Sequence, residues 1–263
     1  PGLLAFGYFD LLDNNILPFV PELYLNAMSK DTKYDFLEKW EHFTNFKRVV
    51  ITHAKCNDGA SVAAVIKHHR DTVLKDNNVD DEIEFIYLDY NAYNIDDLIS
   101  KVKDKLVYIG DFSFPISQYR DLMLAAEEIV LVDHHKGAME DIDLANHYSV
   151  HIDLTKSGGV LTKDFFLGKE VIDDYAVIEL IGDRDLWNWF YGSYTEAMAM
   201  MLKKEGHEVI SKYLGNNMSR CNRDLFEDLE PYKKEAFKQD LKYIDKANEA
   251  EEYNVYGIKF FGL

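Results

Sequence analysis

Ile129-Val130-Leu131-Val132-Asp133-His134-His135 decides how this chain is read. Four consecutive apolar residues, mostly β-branched, mark a strand buried on both faces. Such strands belong to parallel sheets with helices on either side. This one ends in an acid and two imidazoles, delivered together at its carboxyl end. In open α/β sheets that edge is where ligands bind.

The same reading extends outward. Arg48-Val49-Val50-Ile51-Thr52 is a second strand, ending at His53 and followed by Cys56-Asn57-Asp58-Gly59. Leu106-Val107-Tyr108-Ile109 is a third, ending at Gly110-Asp111. Asp183 and Asp185, in Gly182-Asp183-Arg184-Asp185-Leu186-Trp187, read in the same strand-end context. A single strand-end Asp is often only a helix N-cap, because its oxygen satisfies an orphan N–H. Four clusters of hard oxygen and imidazole donors in one register of strand ends point instead to a metal centre that acts on phosphate.

Glu84 to Leu88 and Tyr148 to Asp153 complete a set of five strands, with helices over Asp31–Phe46, Gly59–Ile66, Ile95–Val102 and Pro115–Glu127. This alternation predicts an α/β fold, a doubly wound, mostly parallel five-stranded sheet. From Ser157 the pattern turns helical: Ala176 to Ile181, Thr195 to Lys204 and Glu208 to Leu214, then a polar stretch from Asn216 to Asp224. Glu230-Pro231 marks a break, and Pro231 to Glu251 reads as one long charged helix. Tyr253 to Phe261 reads as a single strand, the first of a further domain.

Composition narrows the function classes. The chain has 263 residues and is 47% hydrophobic, enough for a sizeable core. No run approaches the roughly 18 apolar residues a membrane span needs. Its start, Pro1-Gly2-Leu3-Leu4-Ala5-Phe6, has neither a basic n-region nor Met and reads as internal or processed. Two widely spaced cysteines, Cys56 and Cys221, give no disulfide framework and fit a reducing, cytoplasmic setting. A net charge of −18 disfavours a generic duplex-DNA binder. It leaves room for a short oligonucleotide or small phosphate ester held by cations.

Mixed carboxylate and imidazole donors suit Mn²⁺, with Zn²⁺, Co²⁺ or Fe²⁺ as alternatives. Two such ions about 3.5–4 Å apart would clamp an in-line displacement at phosphorus. His135 is placed to hold a phosphate oxygen or protonate a leaving oxygen, and Asp133 to orient an imidazole. Arg184 reads equally as a substrate contact or as the partner of Asp183 or Asp185. Cys56 reads as a thiolate ligand or as a small buried residue. Trp187, Trp189, Phe190, Tyr191 and Tyr194 could stack on bases or form a helix core.

The chain resembles the DHH phosphoesterase superfamily. Four stretches carry this: His53-Ala54-Lys55-Cys56-Asn57-Asp58-Gly59, Gly110-Asp111-Phe112-Ser113, Asp133-His134-His135 and Gly182-Asp183-Arg184-Asp185. A Cys-x-Asp-Gly first motif, with Lys156-Ser157-Gly158-Gly159-Val160-Leu161 and Asp183-Arg184-Asp185-Leu186-Trp187, is similar to the branch that includes the oligoribonuclease NrnB. The resemblance covers residues 48–190. It implies His53, Asp58, Asp111, His134 and Asp183 as metal ligands with Asp111 as the bridge. It also implies His135, Lys156, Ser157 and Arg184 as substrate contacts, and Asp133 behind the ligands.

The first motif departs from the superfamily pattern, with Cys56 and Asn57 near the place of its first Asp. A Gly-Gly-Gly-His-type substrate loop is also absent from this sequence. The expected organisation is an aromatic extension over 1–46, a catalytic domain over 47–190, a helical extension over 191–251, and the start of a C-terminal domain over 252–263. Residues 1–46 are a candidate partner or homodimer surface. The expected activity is two-metal hydrolysis of short single-stranded RNA or DNA. Cyclic (di)nucleotide or other small-phosphate hydrolysis is the enzymatic alternative, and a catalytically silent binding module the other.

Overall fold

Alternation of side chains along each strand builds this molecule as three layers. The computed structural model describes residues 30–77, 82–90, 92–168, 175–215, 217–249, 251–255 and 258–262. Five parallel strands, β1 (Arg48–His53), β2 (Ile83–Leu88), β3 (Leu106–Gly110), β4 (Glu128–Asp133) and β5 (Val150–Ile152), form one sheet in the order β2-β1-β3-β4-β5. Val49, Ile51, Val107, Ile109, Ile129 and Leu131 face one side. There they meet α3 (Ile95–Val102), α4 (Ile116–Ala125) and the short α6 (Ile142–Ala145), which follows α5 (Lys136–Glu140). Val50, Tyr108, Val130 and Val132 face the other, against α1 (Lys30–His42), α2 (Asn57–His69) and α7 (Gly158–Phe166).

The expected doubly wound α/β class is therefore what the chain adopts. Its strand order has one consequence for function. The chain steps from β1 outward to β2, then returns to place β3 on the other side of β1. The crevice at the carboxyl ends of β1 and β3 is thus the topological switch point, the site such sheets use for ligands. His53 and Asp111 stand at those two ends.

Arg48, though charged, is buried at the start of β1. Its guanidinium donates to the carbonyls of Trp40 (2.9 Å), Phe43 (2.9 Å) and Phe46 (3.0 Å). It therefore satisfies the orphan acceptors where α1 ends. That fastens α1, with buried Phe36 and Trp40, to the sheet. Residues 1–29 of the expected N-terminal extension lie outside the described residues.

The helical second half has a separate core. α8 (Ala176–Asp185), α9 (Ser193–Glu205), a 3-10 turn over His207–Tyr213 and α10 (Met218–Glu249) bury Ile178, Ile181, Met201 and Leu225 together with Ala64 and Val65 of α2 and Val160 of α7. Three expectations change here. The polar stretch at 216–224 is mostly helix, started at Met218 by the Asn217 side chain accepting from Arg220 N at 3.0 Å. Pro231 lies inside α10 rather than at a break. A proline disfavours a helix interior, but Leu225 and Leu229 are wholly buried just before it, and tertiary packing overrides the local preference. Finally, Tyr253 to Phe261 is two strands: β6 (Glu251–Val255) pairs antiparallel with β7 (Ile258–Gly262). A period-2 run marks strand residues but does not show where the chain reverses. Among the described residues no helix is long and apolar enough to cross a membrane.

Candidate metal centre at the carboxyl edge of the sheet

His53 ends β1, and four residues later α2 begins with Asn57 and Asp58. A Cβ on Gly59 would sit 2.2 Å from the His53 carbonyl oxygen, so glycine is what lets α2 start this close to the strand. Asp58 is completely buried. The amides that open α7 hold it, Gly158 N–H on Oδ2 at 2.6 Å and Gly159 N–H on Oδ1 at 3.0 Å, and the Ser61 hydroxyl donates to Oδ1 at 3.2 Å. This is a helix N-terminus binding an anion that belongs to the protein itself.

Asp111 follows β3 with φ at +56°, a conformation non-glycine residues rarely adopt. Such strain gathers at functional sites. Asp133 closes β4, fully buried; it accepts from the Ser113 hydroxyl and lies 2.8 Å from His135 Nδ1. His134 Nε2 is the meeting point of three carboxylates: Asp111 at 3.1 Å, Asp185 at 3.4 Å and Asp58 at 3.6 Å.

The electrostatics follow from burial and crowding. Burial and the neighbouring Asp58 push Asp111 up to about 7. Burial and Asp58 likewise raise Asp185. For His134, burial opposes the proton, but the hydrogen bond to Asp111 and the charges of Asp58 and Asp185 outweigh it and lift the imidazole to about 9. The acids thus lack positive charge and share it with His134. Burial and His135 lower His53, keeping it the neutral imidazole that can ligate. Burial and Asp111 push the Cys56 thiol up to about 12. It is a neutral thiol unless a cation displaces its proton.

Among the described residues, three groups of donor atoms each lie within 4.8 Å of one another: Asp111, Asp133, His134 and His135; His53, Cys56 and Asp111; and Asp58, His134 and Asp185. Asp111 and His134 each belong to two of them. His53 Nδ1 and Asp111 Oδ2 are buried with no hydrogen-bond partner among the described residues. Buried polar atoms are rarely left so, and two of them aimed into an acidic, imidazole-rich pocket fit a divalent cation.

The expected residues divide. His53, Asp58, Asp111, Asp133, His134 and His135 come together. Asp183 does not join the three groups. It sits in α8, not at a strand end, and its carboxylate accepts from Phe190 N (2.8 Å), Tyr191 N (3.2 Å) and the Thr195 hydroxyl. Asp185 reaches His134 in its place. Lys156 is 2.5 Å from Asp164 Oδ2, and Ser157 N-caps α7. Both line a cavity of about 500 Å³ with Asp183, Phe190 and Tyr191. Arg184 lies over two indoles, 4.0 Å from Trp187 and 4.9 Å from Trp189, and neither reading made from sequence foresaw this stack. Trp187 is 65% and Phe190 83% exposed, so these two are not a helix core.

Sequence reasoning missed the Gly158-Gly159 clamp and Tyr90. The Tyr90 ring stacks on Phe112 at 4.4 Å and meets His53 and His135 edge-on. The only signal for the clamp was a pair of glycines after an N-capping Ser157.

The fold and this edge define an α/β protein with a candidate divalent-metal centre. No protein-family model matches the chain. An uncharacterized protein of Acanthamoeba polyphaga mimivirus is 26% identical over 161 residues, 60% of this chain and 37% of that protein. An uncharacterized Helicobacter pylori protein of known structure is similar with a TM-score of 0.47 at 14% identity, over 72% of this chain and 63% of that one. RecJ from Thermus thermophilus, solved in complex with Mn2+, is similar with a TM-score of 0.42 at 11% identity, over 85% of this chain and 41% of that one. The chain spans less than two thirds of each of these proteins.

Proposed function

We propose that this chain is a metal-dependent phosphodiesterase that hydrolyses short oligonucleotides. The observation that carries the reading is the convergence of Asp58, Asp111, His134 and Asp185 at the switch point, with His53 Nδ1 and Asp111 Oδ2 buried and unpartnered. Divalent cations held there by His53, Asp58, Asp111, His134 and Asp185 would supply Lewis acidity toward water and phosphoryl oxygens. Mn²⁺ is the cation of choice for this donor set.

The chain's own groups do the rest. Asp133 fixes His135 through Nδ1, which leaves Nε2 to face a substrate. The hydrogen bond and charge of Asp133 raise the His135 pKa above the ordinary imidazole value. In its protonated form it can donate to a phosphate oxygen or a leaving oxygen. Ser113 occupies the other oxygen of Asp133 and keeps that carboxylate from turning. The motif resemblance to DHH phosphoesterases supports phosphodiester chemistry. The charge of −18 favours short substrates over long polyanions.

Hydrolysis of end-labelled RNA and DNA oligomers, dinucleotides, cyclic dinucleotides and pyrophosphate with added Mn²⁺ tests this, with His134→Ala alongside. Cleavage of the oligomers, lost in the variant, is the expected result. Wild-type protein that binds Mn²⁺ but cleaves none of the panel overturns it.

A further inference from the structure

We propose that the cavity beside Asp185 is a nucleobase subsite, with Trp187 as its stacking surface; this rests on the phosphodiesterase reading and names what the substrate carries next to its phosphate. The cavity is about 270 Å³, and its lining includes Cys56, Asp185, Arg184, Trp187, Ile181 and Leu202. Cys56 and Asp185 each belong to one of the donor groups, so the cavity abuts the metal centre. Its volume is at the small end for ligand sites and suits one ring system rather than a chain.

The wall is built rather than incidental. Trp187 and Trp189 both hold φ at +56°, strained for bulky side chains. The turn is tied down by the Asp183 carboxylate, which binds Phe190 N, Tyr191 N and the Thr195 hydroxyl. Arg184, which also lines the cavity, lies over the Trp187 indole at 4.0 Å. A tryptophan that is 65% exposed contributes little to the core, yet the backbone is held in an unfavourable conformation to present it.

The chemistry of the wall selects the ligand. An indole and a guanidinium offer stacking and hydrogen-bond donors to a flat heteroaromatic ring. Ile181 and Leu202 give it an apolar floor. Stacking on a neutral base adds affinity that the acidic surface does not oppose. The phosphate would lie at the cations, and the base it carries in this cavity.

Calorimetry on the Mn²⁺-loaded full chain tests the subsite without requiring turnover. AMP and ribose 5-phosphate share a sugar and a phosphate and differ in the base. Wild-type protein should bind AMP about tenfold tighter or more. Trp187→Ala should remove that preference and leave ribose 5-phosphate affinity unchanged, and Trp187→Phe should keep most of it. Equal affinity of wild type for the two ligands overturns the subsite. So does a Trp187→Ala variant that loses both equally. Binding with the base preference but without hydrolysis of any phosphodiester would overturn the reaction and leave the subsite standing.

Discussion

Replacing Gly158 with alanine tests whether the start of α7 holds the metal centre together. The added Cβ would lie 2.5 Å from Asp111 Cβ, 2.9 Å from Asp111 Cα and 3.0 Å from Asp58 Oδ2. Two of those atoms cannot rotate away, so α7 must back off. Overpacking of this kind costs about 1–3 kcal/mol. Retreat also stretches the 2.6 Å bond from Gly158 N–H to the buried Asp58 carboxylate. A hydrogen bond to a charged group contributes about 1.5–3 kcal/mol. Asp58 keeps Gly159 and Ser61, so only part of that is lost, and roughly 2–5 kcal/mol is the expected sum. At about 2–4 °C per kcal/mol, the melting temperature should fall by roughly 4–20 °C. Mn²⁺ affinity by calorimetry should fall about tenfold or more, since each 1.4 kcal/mol of displaced ligand geometry is roughly a factor of ten. Gly137→Ala is the control, because its Cβ would meet nothing within 4 Å. A Gly158→Ala variant that melts and binds Mn²⁺ like wild type refutes the clamp.

Three further outcomes follow from the same geometry. In wild type, Mn²⁺ at about a hundred times its dissociation constant should add about 2.7 kcal/mol of stability; Asp111→Asn, which alters a carboxylate shared by two donor groups, should abolish the corresponding rise in melting temperature. Arg48→Met leaves the carbonyls of Trp40, Phe43 and Phe46 without their donor, and urea denaturation should show a loss of roughly 3 kcal/mol or more. Burial and the neighbouring His69 lower His68 below its ordinary 6.5, so the unfolded chain takes up the proton first and stability falls as pH drops below about 6.5, levelling once the folded value is passed. His68→Gln should flatten that part of the profile, measured as urea midpoints between about pH 7 and pH 5.

Much of this fold was legible because its central strands, β1, β3 and β4, are buried on both faces. Val49 to Ile51 and Ile129 to Val132 are apolar without interruption, and only a sheet covered on both sides needs that. Strand ends then located His53, Asp111 and His134 without any tertiary information. The failures occurred where a helix, not a strand, delivers the group. Asp183 and Asp185 are two residues apart, and on a helix that places them on nearly opposite faces. Only knowledge that α8 persists to Asp185, one turn beyond Ile181, tells which carboxylate reaches His134. The clamp on Asp58 was illegible for another reason. Its donors are backbone amides about a hundred residues away in sequence, and a pair of glycines does not say which group their amides hold.

That last property sets how this centre tolerates change. A side-chain ligand is lost by altering its chemistry, but the Gly158 and Gly159 donors survive any substitution except proline. What each position forbids is volume: a single carbon at residue 159 would fall 1.8 Å from Ser61 Oγ. In a saturation library, these two sites should therefore sort variants by size, with polarity almost irrelevant. The acid and imidazole positions should sort them by donor atom. Two kinds of intolerance would thus be interleaved in one centre, one steric and written in the backbone, the other chemical and written in the side chains.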